Sequence, residues 1–96
     1  MYNIIKTEHF EKWQTSLKDT NAKARIEVRI RRMEMGVLGD VKPVGEGVSE
    51  ARIHYGAGYR LYFCQRGDVV IVLLCGGDKS SQSKDIEIAK ELKRCL

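Results

Sequence analysis

The chain has 96 residues and a mass of 10.9 kDa, room for a single domain spanning 1–96. It is 43% hydrophobic and 31% charged, which suits a folded globular chain and excludes a disordered one. The net charge of +4 is spread evenly, with residues 1–48 and 49–96 each carrying +2, so any anion-binding surface has to be assembled by folding.

The order β-α-α-β-β-β-α is expected. MYNIIKTEHF lacks the basic start and long apolar stretch of a signal peptide, and residues 2–6 suit a short strand. Thr7 is a plausible N-cap for a helix at about 8–18, with Phe10, Trp13 and Leu17 on one face. Asp19, Thr20 and Asn21 are all good caps for a second helix at about 21–35. Its apolar stripe is Ala22, Ile26, Ile30 and Met33, and Gly36 ends it. Arg25, Arg29 and Arg32 share another face of this helix, either a phosphate-facing or partner-binding stripe or simply its wet side. Glu27 and Arg31 are spaced for a weak ion pair.

A loop through Gly39 and Asp40 leads to three strands, at about 48–54, 59–65 and 69–75. A three-residue turn at Gly56-Ala57-Gly58 would set His54 opposite Arg60 and Arg52 opposite Tyr62. One face is then Ala51, Ile53, Tyr55, Tyr59, Leu61 and Phe63. The other is Glu50, Arg52, His54, Arg60, Tyr62 and Cys64. The run VVIVLLC, Val69 to Cys75, is apolar on both faces and fits a strand covered on both sides. At seven residues it is far short of the roughly 20 that span a membrane. A two-residue turn before it would send Val70, Val72 and Leu74 to the core face with Phe63. GGDKSSQSKD, residues 76–85, then connects to a last helix capped by Ser83. There two glycines would let the chain turn over the arginine face. Cys64, Cys75 and Cys95 are an odd set without C-x-x-C spacing. They suit a reducing cytoplasm rather than a disulfide framework or a zinc site.

The polar strand face is the main chemical candidate. Arginine forks bind phosphate and stabilise a phosphorane, and His54 or Glu50 can move a proton near neutrality. The competing reading is a solvated sheet face with cross-strand ion pairs among Glu50, Arg52 and Arg60.

ARIHYGAGYRLYF, followed by an apolar strand and LLCGGDKSSQSKDIEIAKE, resembles the RelE/ParE superfamily of type II toxins, and most of all its phage-derived, HigB-like addiction module killer group. FEKW…LKD and ARIEVRIRRMEMGVLGDVKPVGEGVSEARI fit the same group, so the resemblance covers nearly the whole chain. It implies an α+β domain with a twisted, mostly antiparallel sheet and an N-terminal helical hairpin. It implies a toxin held by a cognate antitoxin, often a small helix-turn-helix protein, in a hetero-oligomer. RelE- and HigB-like members cut messenger RNA on the ribosome without metal or other cofactor, whereas ParE-like members inhibit DNA gyrase. Carried over by position, Arg60 and Arg52 stabilise the transition state. Lys42 sits where relatives place a substrate-facing lysine, and with Arg52, Arg60 and Lys79 it would hold the RNA. Residues 76–85 lack the tyrosine or histidine of related nucleases. Acid–base work would therefore fall to Asp78, Lys79, His54 or Glu50.

Overall fold

A computed structural model describes all residues, 1–96. The elements are β1 (Asn3–Lys6), α1 (Glu8–Ser16), α2 (Thr20–Glu34), β2 (Val41–Gly45), β3 (Val48–Ile53), β4 (Tyr59–Arg66), β5 (Val70–Gly77), a 3-10 turn (Lys79–Ser81) and α3 (Gln82–Arg94). They form a small α+β domain around one five-stranded mixed sheet of order β1-β5-β4-β3-β2. β1 runs parallel to β5, and the other three pairings are antiparallel.

The expected order β-α-α-β-β-β-α is therefore wrong by one strand. The stretch read as a loop contains β2. Pro43 and two nearby glycines hide it in the sequence, but proline is tolerated on an edge strand and β2 is one. Gly45 pairs with Val48 across Glu46 and Gly47, whose φ values of 54° and 78° make the two-residue turn of an ordinary hairpin.

α1 and α2 lie on one face of the sheet. Thr7 caps α1, its hydroxyl accepting from Phe10 N–H at 3.0 Å and donating to Leu74 C=O at 2.6 Å. Asp19 caps α2 through Ala22 N–H. The stripe Ala22, Ile26, Ile30 and Met33 is buried as its spacing requires. Ile26, Ile30, Met33 and Phe10 pack on Ala51, Ile53, Leu61, Phe63, Ile71 and Leu73. The Glu27–Arg31 pair does not form; Glu27 instead accepts from Gln14 and lies 3.8 Å from Lys6.

α3 covers the other face, over Val48, Tyr62, Cys64, Val72, Leu74 and Cys75, with Ala89 facing inward. The face expected to be polar and open is thus a second core. Arg94 pins the end of α3 to the β2–β3 turn through paired bonds of 3.1 and 3.0 Å to Glu46. Ser83 does not cap this helix. Asp78 caps the 3-10 turn ahead of it, its carboxylate accepting from Ser80 N–H at 2.8 Å.

Both strand registers differ from expectation. Arg52 opposes Arg60 and Glu50 opposes Tyr62, a shift of two residues that leaves the two-face assignment intact. On β5 the faces exchange. Phe63 opposes Leu73 and Arg66 opposes Val70, so Ile71 and Leu73, not Val70, Val72 and Leu74, join the core under α1 and α2. The turn there has three residues rather than two, with Gly67 at φ 66°. A bulge at Leu74 then restores the pairing of Tyr62 with Cys75, which a strict alternation rule cannot foresee.

Candidate functional site

Glu50 is the centre of the charged cluster. It is fully buried at the middle of β3, a position an unpaired carboxylate cannot hold without large cost. Four donors converge on it: Gln82 Nε2 at 2.9 Å, Arg52 Nε at 3.1 Å, Tyr62 OH at 3.1 Å and Arg60 Nη1 at 3.4 Å. Burial alone would raise its pKa. The bonds from Gln82, Arg52 and Tyr62 and the charge of Arg60 outweigh that and hold it below its ordinary value. The same burial and the Glu50 charge push the Tyr62 phenol well up, so Tyr62 stays a neutral donor.

The register explains the convergence. Arg52 and Arg60 are directly opposed, a repulsive arrangement for like charges. Glu50, two residues along β3 on the same face, accepts from both and neutralises the contact. Arg60 Nε is buried and unpartnered. Lys42 opposes Glu50 from β2 and is exposed.

His54 follows the end of β3 and leaves this cluster. Its side chain is three-quarters exposed, and Nε2 lies 2.6 Å from Asp40 Oδ2. That bond is the main reason the Asp40 carboxyl sits below its ordinary range. A carboxylate accepts, so Nε2–H donates and Nδ1 is the free acceptor of neutral His54. Asp40 comes into range because Arg52 N–H bonds Asp40 C=O, extending the β2–β3 pairing by one rung. A loop over 37–47 conceals this partner, and the Glu46-Gly47 hairpin turn is the one sequence signal for it.

A cleft of about 660 Å³ opens beside this pair, between α2 and the end of β3. Arg25, Arg29, Arg32 and Arg52 line it, against Asp40 as its one carboxylate. Arg29 is tied into the fold, donating to the carbonyls of Leu38, Asp40 and Arg52 at 2.9, 2.8 and 2.6 Å. Arg25 lies over the Tyr55 ring at 4.3 Å.

The loop after β5 differs from its expected role. Gly76 and Gly77 belong to the strand and are buried. A Cβ at Gly76 would run into the Trp13 ring, and one at Gly77 into the Asp85 carboxylate, so these glycines serve close packing rather than a turn over the arginines. Gly77 opposes Arg60, and Lys79 N–H bonds Ala57 C=O, which places the loop beside the β3–β4 turn. The Asp78 carboxylate is engaged as a cap by Ser80 N–H and Oγ, while the Lys79 side chain is exposed. The structure therefore gathers Arg52, Arg60 and Glu50 into one cluster with Tyr62 and Gln82, and sets His54 apart with Asp40. Gln82, 32 positions from Glu50, had no signal in the sequence.

No family model matches this sequence. It is 49% identical over 93 residues to an uncharacterized protein of Haemophilus influenzae, a match covering 97% of this chain and 94% of that relative. No helix is long and apolar enough to cross a membrane. At that identity and near-complete coverage, the chain belongs to the same family as the Haemophilus protein.

Proposed function

We propose that this protein is the toxin of a type II toxin–antitoxin module, acting in the cytoplasm as a ribosome-dependent endoribonuclease on messenger RNA. The observation that supports this most is the convergence of Arg52 and Arg60 on one carboxylate. Two guanidiniums aimed at one anion have the geometry that a phosphoryl transition state needs. Arg52 also borders the cleft that holds His54 and Asp40. In the proposed reaction the ribose 2′-OH gives its proton to His54 Nδ1 and bonds to phosphorus. The bond to the 5′ oxygen breaks, and that oxygen takes a proton from water. Asp40 keeps the ring oriented, and Arg52 offsets the charge that builds on the phosphate. Lys42 and Lys79, both exposed, suit contacts along the RNA.

One observation favours a second reading, a ParE-like toxin that blocks DNA gyrase without chemistry. Arg52, Arg60 and Tyr62 are already committed to Glu50, and Asp78 to its cap. The toxin reading is tested by induced expression with and without a neighbouring helix-turn-helix gene. Growth arrest relieved by that gene supports it; unhindered growth at high expression removes it. Purified protein that leaves gyrase supercoiling intact removes the second reading.

A further inference from the structure

We infer that the cleft between α2 and the end of β3 binds the phosphates of a single RNA strand, at a site that meets the Glu50 cluster only through Arg52. Four arginines line the cleft against one carboxylate, and although Glu50 offsets Arg52 from outside it, a positive excess remains. Two of the four are held elsewhere, Arg29 by three carbonyls and Arg52 by Glu50. Arg25 and Arg32 are different. Both are exposed, and neither side chain makes a hydrogen bond or an ion pair, Arg25 resting only on the Tyr55 ring. They stand seven residues apart, so their Cα atoms are separated by about 10.5 Å along the helix axis.

At 3.4 Å of rise per nucleotide, that stripe parallels about three nucleotide steps of a stacked strand. Guanidinium forks match phosphate oxygens in pairs. Ala24, Val28 and Ile53 supply an apolar lining between the charges, with Val28 half exposed, and this suits ribose and base faces better than a wholly charged wall would. The volume of about 660 Å³ accommodates a nucleotide unit rather than a lone small anion. His54 on the cleft wall would then meet the strand that the arginines hold.

The choice of RNA rests on the proposed function, but binding is read without turnover, so failure of the one is distinguishable from failure of the other. The test is fluorescence anisotropy with a short labelled single-stranded RNA against the full chain, across a salt series. Arg25→Ala and Arg32→Ala should each weaken binding several-fold and flatten the dependence of log affinity on log salt by about 0.7. Arg31→Ala, on the same helix but outside the cleft, should change affinity far less. Thermal melts of each variant check the fold, and Arg32→Glu, which should weaken binding further, serves as a second variant. Equal losses from Arg31→Ala and Arg32→Ala would reduce the site to diffuse surface charge and overturn the inference. So would an absence of RNA binding at low salt, or competition by polyglutamate as effective as by unlabelled RNA, which would mark an acidic-protein site. Competition by inorganic phosphate as effective per phosphate as by RNA would mark a lone-anion site and overturn the strand. RNA binding without cleavage supports the cleft and is the expected result, because the proposed cleavage requires the ribosome.

Discussion

Replacing Glu50 with alanine should be among the most damaging single changes in this chain. The carboxylate is fully buried and accepts from Gln82, Arg52, Tyr62 and Arg60. Alanine would leave the Arg60 guanidinium, 13% exposed, opposite Arg52 with no counter-charge, and would strand the Tyr62 hydroxyl. Removing one partner from a buried ionic cluster costs about 3–5 kcal/mol. A 96-residue domain has a total stability of order 5–15 kcal/mol, so a large fraction is at stake. At about 4–8 °C per kcal/mol, the melting temperature should fall by roughly 12–40 °C. Glu50→Gln keeps the shape and some acceptor capacity and should fall between alanine and the parent. The pH dependence has a definite sign. The folded pKa of Glu50 lies below the reference 4.5, so its contribution is complete above that value and is lost as pH drops through the lowered one. Glu50→Gln should therefore flatten the acid limb of the stability curve. Urea and thermal melts by circular dichroism read both effects. An alanine variant within about 1 kcal/mol of the parent would refute the cluster as a structural hub.

The glycines separate two mechanisms. Gly76→Ala, facing the Trp13 ring, should cost about 1–3 kcal/mol or more from overpacking. Gly67→Ala meets no neighbour but sits at φ 66°, so it should cost only the roughly 1–2 kcal/mol of a left-handed residue; equal urea midpoints would contradict this ranking. The thiols should divide by burial. Cys95 is exposed, whereas burial raises Cys64 and pushes Cys75 up to about 12. A thiol reagent at mildly alkaline pH should label Cys95 quickly and the other two only on unfolding, as mass spectrometry would show. His54→Asn should move the Asp40 titration midpoint up toward 3.8, because His54 is the main group holding it down; an unchanged midpoint by NMR would break the pairing.

Much of the fold is legible from local chemistry. Thr7 and Asp19 announce their helices because a cap is a short-range bond. Ala22, Ile26, Ile30 and Met33 reveal the buried side of α2 by spacing alone. Parity placed Arg52, Arg60 and Tyr62 on one face even though the register slipped by two, since a slip of two preserves the face. The illegible parts are non-local. β2 is held by its pairing with β3 in spite of Pro43. The bulge at Leu74 lies in a strand buried on both faces, with no local residue to signal it. Nothing near Glu50 in sequence shows that α3 would bury it or that Gln82 would complete its shell. Reading that face as solvated follows from its composition, yet a carboxylate, two arginines and a tyrosine can satisfy one another beneath a helix. His54 and Asp40 are 14 positions apart, and only the missed hairpin joins them.

The most direct test of the proposed activity is primer extension on one abundant transcript after brief induction, compared with the same transcript lacking its start codon. A ribosome-dependent endoribonuclease should give new 5′ ends within the translated codons and none in the untranslated copy, and Arg52→Ala expressed at equal level should abolish them. An intact transcript in growth-arrested cells, with accumulating DNA-damage signals, would contradict the nuclease assignment and leave gyrase as the target.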